Sequence, residues 1–472
     1  MANTPFTSWS AQGERVLSDV ISRGRPAQST PKTSERRHLE REVSHLQQSL
    51  LTLDKPAQRQ ATLRQIWVAE QKMVSTEAPS THWTPRRQRH LSLKEFQSGL
   101  TNIVATVEYV FTDDALYALA VSRTSASVRK LGRRDTVESL VQAYDERVRN
   151  SRTGADVARA AIPAYQALLS PLRGLSGKSR IVIVPDGVLS GLPFDILASS
   201  GSPSSVTKPI VSFAPSATAL VALRSRNMAA PPAVPFLGVG DVPYGSFAAR
   251  MHNPSRSAGI FDAKRKPELL PLPESRTEIE NAVGLFGNGS VELLGKQATE
   301  GQLKKQPLNR FSIIHLAVHA FSDPKDPARA ALLLASDDSG DEDGFLQPRE
   351  ISQLPIAAKL VVLSACNTNA GPSLGQEGIA NLARAFLMAG ASSVVTTLWS
   401  VGDTGSSRLM EEFYRNLHAG QDVATALWHA KQALLQRFGP SILPTVAAFQ
   451  VVGNGSVVIP PPQNSTTNGG KP

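Results

Sequence analysis

The chain has 472 residues, 41% of them hydrophobic, and a formal net charge of +10. That length suffices for two or three domains with a sizeable core, and no run of about 18 apolar residues offers a membrane span. The single cysteine, Cys366, excludes an intrachain disulfide and a zinc site built on thiolates. The amino terminus, MANTPFTSWSAQGER, lacks the basic start and apolar stretch of a secretory signal, so a reducing cytoplasmic setting away from membranes is expected. Positive charge gathers at Arg36, Arg37 and Arg41, at Arg86, Arg87 and Arg89, at Arg133 and Arg134, and at Lys264, Arg265 and Lys266. Without interleaved aromatics or a nucleic-acid motif this reads as a solvated surface rather than a direct nucleic-acid ligand site, the alternative being a face that docks an acidic regulator.

Residues 1–34 are rich in Ser, Thr, Gln, Gly and Pro and read as a flexible segment. In SERRHLEREVSHLQQSLLTL, Leu39, Val43, Leu46, Leu50 and Leu53 recur at three- and four-residue spacings, one apolar stripe on a helix with Ser34 as its cap. A second helix over residues 58–72 is expected to bury Leu63, Ile66 and Trp67, so residues 35–90 read as a helical hairpin ending in the linker WTPRRQR. No self-similar period near 34 residues marks a repeat array. A short helix over residues 91–100, a β-hairpin over 103–110 and 115–121 carrying Glu108 and Tyr109, and helices near 135–150 and 155–172 follow.

In SRIVIVPDGVLSGLPFD, residues 181–184 make a strand and Pro185, Asp186 and Gly187 a turn. Residues 209–220 and 236–240 read as extended. The glycines of GVGDVPYG lack dinucleotide spacing and no suitable helix follows, which excludes a nucleotide site, and no cofactor is expected. Residues 244–270 read as a basic surface loop. LPESRTEIE opens a helix with Ser275 as cap and Glu278 three residues on, a capping box, and Thr299 caps a helix that leads into the next strand. Residues 323–344, with the acidic run DDSGDEDG, read as an exposed loop, the alternatives being a regulatory flap or an acidic rim for a basic substrate. Beyond them lie a helix over residues 375–390, a strand over 393–399, helices over 405–417 and 421–438, a strand over 446–452 and a low-complexity tail over 454–472.

Two stretches carry chemistry. In KLVVLSACNT, residues 360–363 form an apolar run of the kind buried on both faces of a parallel sheet, and it breaks into small polar residues around Cys366. FSIIHLAV has the same shape and ends on His319. Strand carboxyl ends form the ligand-binding edge of an open α/β sheet, and neighbouring parallel strands would there set a base beside a thiol. Taken singly, each residue has an ordinary reading as well, a small buried thiol and a satisfied core histidine.

IIHLAVHAFSD, KLVVLSACNT and GQEGIANLARAFLMAGASSVVTTLWSVGD, in that order, resemble the core of a CHAT domain, a caspase-like cysteine peptidase module of the clan that includes separase, legumain and the gingipains. The resemblance implies an α/β fold, a caspase-like three-layer sandwich with a mostly parallel central sheet. That domain spans residues 91–453, with 91–240 as a supporting half and 241–453 as the catalytic half, and a small helical region precedes it. The resemblance further implies a cysteine endopeptidase with a protein substrate and a protein regulator, and no metal. Cys366 attacks the scissile carbonyl and His319 protonates the leaving amine. By analogy with caspases, the oxyanion hole falls to the backbone N–H groups of Cys366 and Ala320. The family usually has glycine at the latter, and an alanine forced to positive φ there would cost about 1 kcal/mol. The same analogy puts residues 397–403 at the pocket for the residue before the cut, with Trp399, Asp403 and Glu377 as candidate lining. Asp403 reads equally as the cap of the helix after it. A CHAT scaffold without a competent dyad, acting as a protein-interaction module, is the alternative function. The peptidase reading requires His319 and Cys366 to meet at a shared open rim.

Overall fold

The structure, a computed structural model, describes residues 34–76, 91–150, 153–201, 208–226, 234–244, 269, 271–321, 330–335, 342–364 and 376–460. The expectations for the first 33 residues, for the basic clusters at residues 86–89 and 264–266 and for the last 12 residues lie outside these. Two antiparallel helices, α1 (Ser34–Thr52) and α2 (Pro56–Thr76), form the amino-terminal hairpin. Leu39, Val43 and Leu50 of the α1 stripe are buried, and Arg59 closes the turn by donating to the carbonyls of Leu50 and Leu53. On α2 the inward face is Thr62, Ile66 and Ala69; Trp67 is 55% exposed. One residue step turns a helix by about 100°, which carries Trp67 off the face that Ile66 occupies.

The chain then passes through α3 (Leu93–Ser98) into the meander β1 (Val104–Phe111), β2 (Ala115–Ser122) and β3 (Ala126–Arg133), followed by α4 (Arg134–Asn150), α5 (Gly154–Leu168), β4 (Arg180–Val184), α6 (Phe194–Ser200), β5 (Ile210–Phe213) and α7 (Ala217–Ser225). The second part runs β6 (Val234–Gly240), α8 (Pro273–Phe286), β7 (Val291–Leu294), α9 (Glu300–Lys305), β8 (Phe311–Leu316), β9 (Ala320–Phe321), β10 (Ala331–Leu333), β11 (Phe345–Leu346), α10 (Pro348–Ile351) and β12 (Leu360–Leu363). It ends with α11 (Gln376–Ala389), β13 (Ser393–Thr397), α12 (Asp403–His418), α13 (Val423–Phe438), α14 (Leu443–Ala448) and β14 (Phe449–Gly453).

Eleven strands form one sheet in the order β3-β2-β1-β4-β5-β14-β13-β12-β8-β6-β7. Strands β7, β6, β8, β12 and β13 are mutually parallel, and β14, β5, β4 and β1 are parallel to one another. The two sets meet at the antiparallel β13–β14 pair and therefore point in opposite directions. Side chains alternate between the faces with the period of two that strands impose. On one face Leu360, Val362 and Ile313 pack under α8, α12 and α13. On the other, Val361, Leu363, Ile314 and Leu316 pack under α11 and the three-stranded sheet β11-β10-β9. The result is the expected mixed α/β sandwich of three layers, with helices at its amino terminus.

Several local readings are corrected. Residues 217–220, the end of the stretch read as extended, belong to helix α7, because Ser216 accepts from the Ala219 N–H and starts an alanine- and leucine-rich turn. β3 was not expected from its sequence. Residues 443–448 are helical, so the last strand begins at Phe449. The apolar segment Ala330 to Ala335 is not an exposed loop, since all six residues are buried and β10 pairs with β9 and β11. The acidic run ends inside the protein as well: Lys304 Nζ lies 2.7 Å from Glu300, 2.6 Å from Glu342 and 3.1 Å from Glu350, so a lysine is the cation of that three-carboxylate cluster. Of the basic pairs, Arg133 and Arg134 are matched by Asp135 and Glu138. Among the described residues no helix is long and apolar enough to cross a membrane.

Candidate active site

β8 and β12 are parallel neighbours with Leu316 opposite Leu363, so both chains leave the sheet at the same level and the same edge. All six residues of β8 and all four of β12 are buried, which the unbroken apolar runs require. His319 stands three residues beyond Leu316, and Cys366 three beyond Leu363. Cys366 lies outside the described residues; the last one described on its side is Ser364.

His319 is 1% exposed, so its imidazole does not stand at an open rim. This corrects the sequence expectation. Two rings pack beside the imidazole, with the Tyr244 centroid 4.5 Å and the Phe321 centroid 6.2 Å from its own. The His319 carbonyl accepts from the Leu333 N–H at 2.8 Å, as an antiparallel ladder demands. The return bond is replaced by a side chain: the His319 N–H donates to Tyr244 Oη at 3.0 Å, and that hydroxyl donates to the Leu333 carbonyl at 2.7 Å. Burial pushes the Tyr244 phenol far above its usual range, so it stays protonated and able to donate.

Ala320 follows in β9, opposite Leu332. Because residues 319 and 333 form the hydrogen-bonded pair, the alternation of the ladder turns the Ala320 N–H to the side of β9 that carries no partner strand. Among the described non-glycine residues only Asp241 has positive φ, so alanine at 320 bears none of the strain expected of it.

Two of the three candidate lining residues have committed polar atoms. Trp399 is buried, its Nε1 donates to the Pro444 carbonyl at 3.0 Å, and the Arg149 guanidinium stands 4.3 Å over its ring. Asp403 opens α12, and its carboxylate accepts from the Glu274 N–H at 2.7 Å, in the first turn of the adjacent helix α8. Burial pushes its carboxyl up. Glu377 lies in the first turn of α11. The expected Ser275–Glu278 capping box does not form: α8 begins at Pro273, Ser275 Oγ donates to the Leu272 carbonyl and accepts from the Asp241 N–H, and Asp403 serves as the outside cap.

Glu278 is thereby free to point inward, to the fully buried His315 of β8. His315 Nε2 lies 2.8 Å from Ser364 Oγ and 2.8 Å from Glu278 Oε1, and Nδ1 lies 2.8 Å from Tyr414 Oη. Glu278 Oε1 has no aligned hydrogen-bond donor, so on that side of the ring the hydrogen bond is the one between Nε2 and Ser364 Oγ, and the glutamate lies beside it in close contact. Ser406 Oγ donates to the Ser364 carbonyl at 2.8 Å. The strand end two residues before Cys366 is thus held by α12 through Ser406 and by β8 through His315.

The family model for the CHAT domain matches residues 159–454, more than half of the chain. The chain belongs to the CHAT domain family. Its curated relatives include Tetratricopeptide repeat protein 28 of Mus musculus, 23% identical over 334 residues, and that of Homo sapiens, 24% identical over 332. Each alignment covers 61% of this chain but 13% of the relative, so the CHAT chain spans a small part of their length. Among solved structures it is similar to the Arg specific cysteine proteinase gingipain R, with 9% identity, a TM-score of 0.39 and coverage of 69% of this chain and 76% of that one. It is also similar to the separase–securin complex of Saccharomyces cerevisiae, with 12% identity, a TM-score of 0.44 and coverage of 76% and 30%. Sequence reasoning on this CHAT domain missed Tyr244 and the group formed by His315, Glu278, Tyr414, Ser364 and Ser406. The available signal was the first histidine of HLAVH, His315, which sits inside the buried strand β8 and is therefore bound to meet polar partners there.

Proposed function

We propose that this CHAT domain is a cysteine endopeptidase acting on specific protein targets, and that a protein partner or signal must open its site. The observation that carries the reading is the level pairing of β8 and β12, with His319 and Cys366 at equal offsets from two adjacent strand ends. Adjacent strands lie about 4.8 Å apart, within reach of a thiol and an imidazole. In the reaction His319 takes the Cys366 thiol proton as the sulfur adds to the scissile carbonyl carbon, the tetrahedral intermediate expels the amine as His319 passes that proton to it, and water hydrolyses the thioester to give the carboxylic acid and free the thiol. The Ala320 N–H, directed away from β10, is suited to the oxyanion with that of Cys366, one such donor being worth about 3 kcal/mol. A sole cysteine that must remain a thiol fits a reducing, cytoplasmic setting.

The burial of His319 supports a second reading, a scaffold whose dyad never engages substrate and which acts through protein contacts. Peptidyl electrophiles of varied sequence separate the two. Covalent labelling of Cys366, lost in Cys366→Ala and slowed in His319→Ala with unchanged circular dichroism, is expected of the peptidase. A folded protein whose thiol stays inert at neutral pH, alone and with its binding partners, overturns it.

A further inference from the structure

Helices α8 and α12 leave a cavity of about 310 Å³ between them, at the small end of the range for ligand sites. Its walls are Ala282, Leu285 and the Tyr414 ring, with Asn281 and Ser407 as hydrogen-bonding groups and Glu278 reaching it from the protein interior. At the mouth Glu411 and Arg415 also line it, and the guanidinium is bonded to both Glu411 and Glu412. The one cation is thus already matched by two carboxylates. Glu278 is different: it lines the cavity although it is only 4% exposed, and its Oε1 is enclosed against the His315 ring, 2.8 Å from Nε2, without an aligned donor. A buried carboxylate in that state attracts a donor that brings positive charge.

We propose that this cavity binds a short alkyl chain ending in an ammonium or guanidinium group. The charged end meets Glu278, Asn281 and Ser407 supply directional hydrogen bonds, and the methylene stem lies along Ala282, Leu285 and the tyrosine ring. Anions are disfavoured because two carboxylates, Glu278 and Glu411, line the cavity and its single arginine is already paired with Glu411 and Glu412. Binding draws Glu278 Oε1 off the His315 ring, and the ring in turn holds Ser364. The site stands independently of peptide cleavage.

The test is calorimetric titration of the full chain with putrescine and agmatine, using butane-1,4-diol and succinate as uncharged and anionic controls. Saturable one-to-one binding of at least one cation, with neither control binding, is expected. Glu278→Gln weakens it about tenfold or more, the usual effect of losing a charge-assisted hydrogen bond. Gly284→Leu is the second variant: Gly284 lines the cavity, its φ is ordinary, and a Cβ there meets nothing within 4 Å. The leucine suits a helix better than glycine and fills the space, so this variant folds and loses binding. Absence of saturable binding by either cation, equal binding of the diol, or binding undiminished in folded Gly284→Leu overturns the proposal.

Discussion

Replacing Tyr244 by Phe removes one oxygen from a fully enclosed position and tests how the His319 segment is held. The ring stays, so the contact with the imidazole at 4.5 Å is kept and no cavity larger than a hydroxyl is left. Two backbone groups lose their partner at once, the N–H of His319 and the C=O of Leu333. A buried polar group left unsatisfied costs about 1–3 kcal/mol, so the pair predicts a loss of about 2–6 kcal/mol. Closing the gap by a direct N–H to C=O bond would recover part of this, but β9 and β10 would have to move together into the space the hydroxyl now spans. Urea unfolding measures the loss as a lower midpoint at unchanged slope, and faster hydrogen exchange of the His319 amide locates it. A loss below about 0.5 kcal/mol, with that amide as protected as before, would show that the hydroxyl does not bridge the ladder.

Lys304→Met leaves Glu300, Glu342 and Glu350 without their cation, and Glu300 has no exposed side-chain surface. Breaking a buried pair from one side costs about 3–5 kcal/mol. Burial pushes the Glu300 carboxyl well above the usual range, so acid relieves the variant by protonating it, and an equal loss at pH 5 and pH 8 would count against this account. Glu108 is pushed up to about 7, first by burial and then by the charge of Asp186. The folded state therefore holds a proton that the unfolded chain gives up near pH 4.5, so the stability contribution is whole below that pH and is lost as pH rises to about 7. From the shift the loss is about 3 kcal/mol. Glu108→Gln should flatten the decline between these limits in a pH series of thermal unfolding, and an unaltered slope would assign the decline to other groups.

The strands that carry His319 and Cys366 were legible because burial on both faces leaves a signature of consecutive β-branched and aliphatic residues, which LVVL and FSIIHL display. Thr299 was legible as a cap for a local reason, since its hydroxyl needs only the Gln302 N–H three residues on. Ser275 failed by the same local logic. Its motif is present, but Asp403, 129 residues away, takes the first-turn amide and Glu278 turns inward to His315. A capping box is a statement about neighbours in sequence, and a tertiary partner with better geometry overrides it. Trp67 failed because aromatic character was read as burial, although the periodicity through Ile66 and Ala69 already fixed the inward face. Tyr244 was invisible for a third reason. Its hydroxyl replaces a backbone bond between residues 75 and 89 positions further along, and no spacing rule encodes a side chain standing in for a ladder.

The reversal of strand direction at β13–β14 separates the two ends of the sheet chemically. The carboxyl ends of β1 and β4, where Glu108 and Asp186 sit, lie at the end of the sheet opposite the carboxyl ends of β8 and β12. Acidic groups there are separated from His319 by the length of the strands, and their charge has no direct path to it. β6, which a division at residue 240 would assign to the first half, pairs with β8 and β7 and belongs with the His319 end. Among the described residues, the His319 segment is bonded to β10, through the ladder, and to Tyr244, through its ring and hydroxyl. β10 is in turn tied to β11, and β11 to the base of the acidic run, where Asp343 accepts from Gln48 of α1 through its carbonyl and Lys304 gathers three carboxylates. The small sheet beside His319 is thus joined on its far side to the amino-terminal hairpin through Gln48.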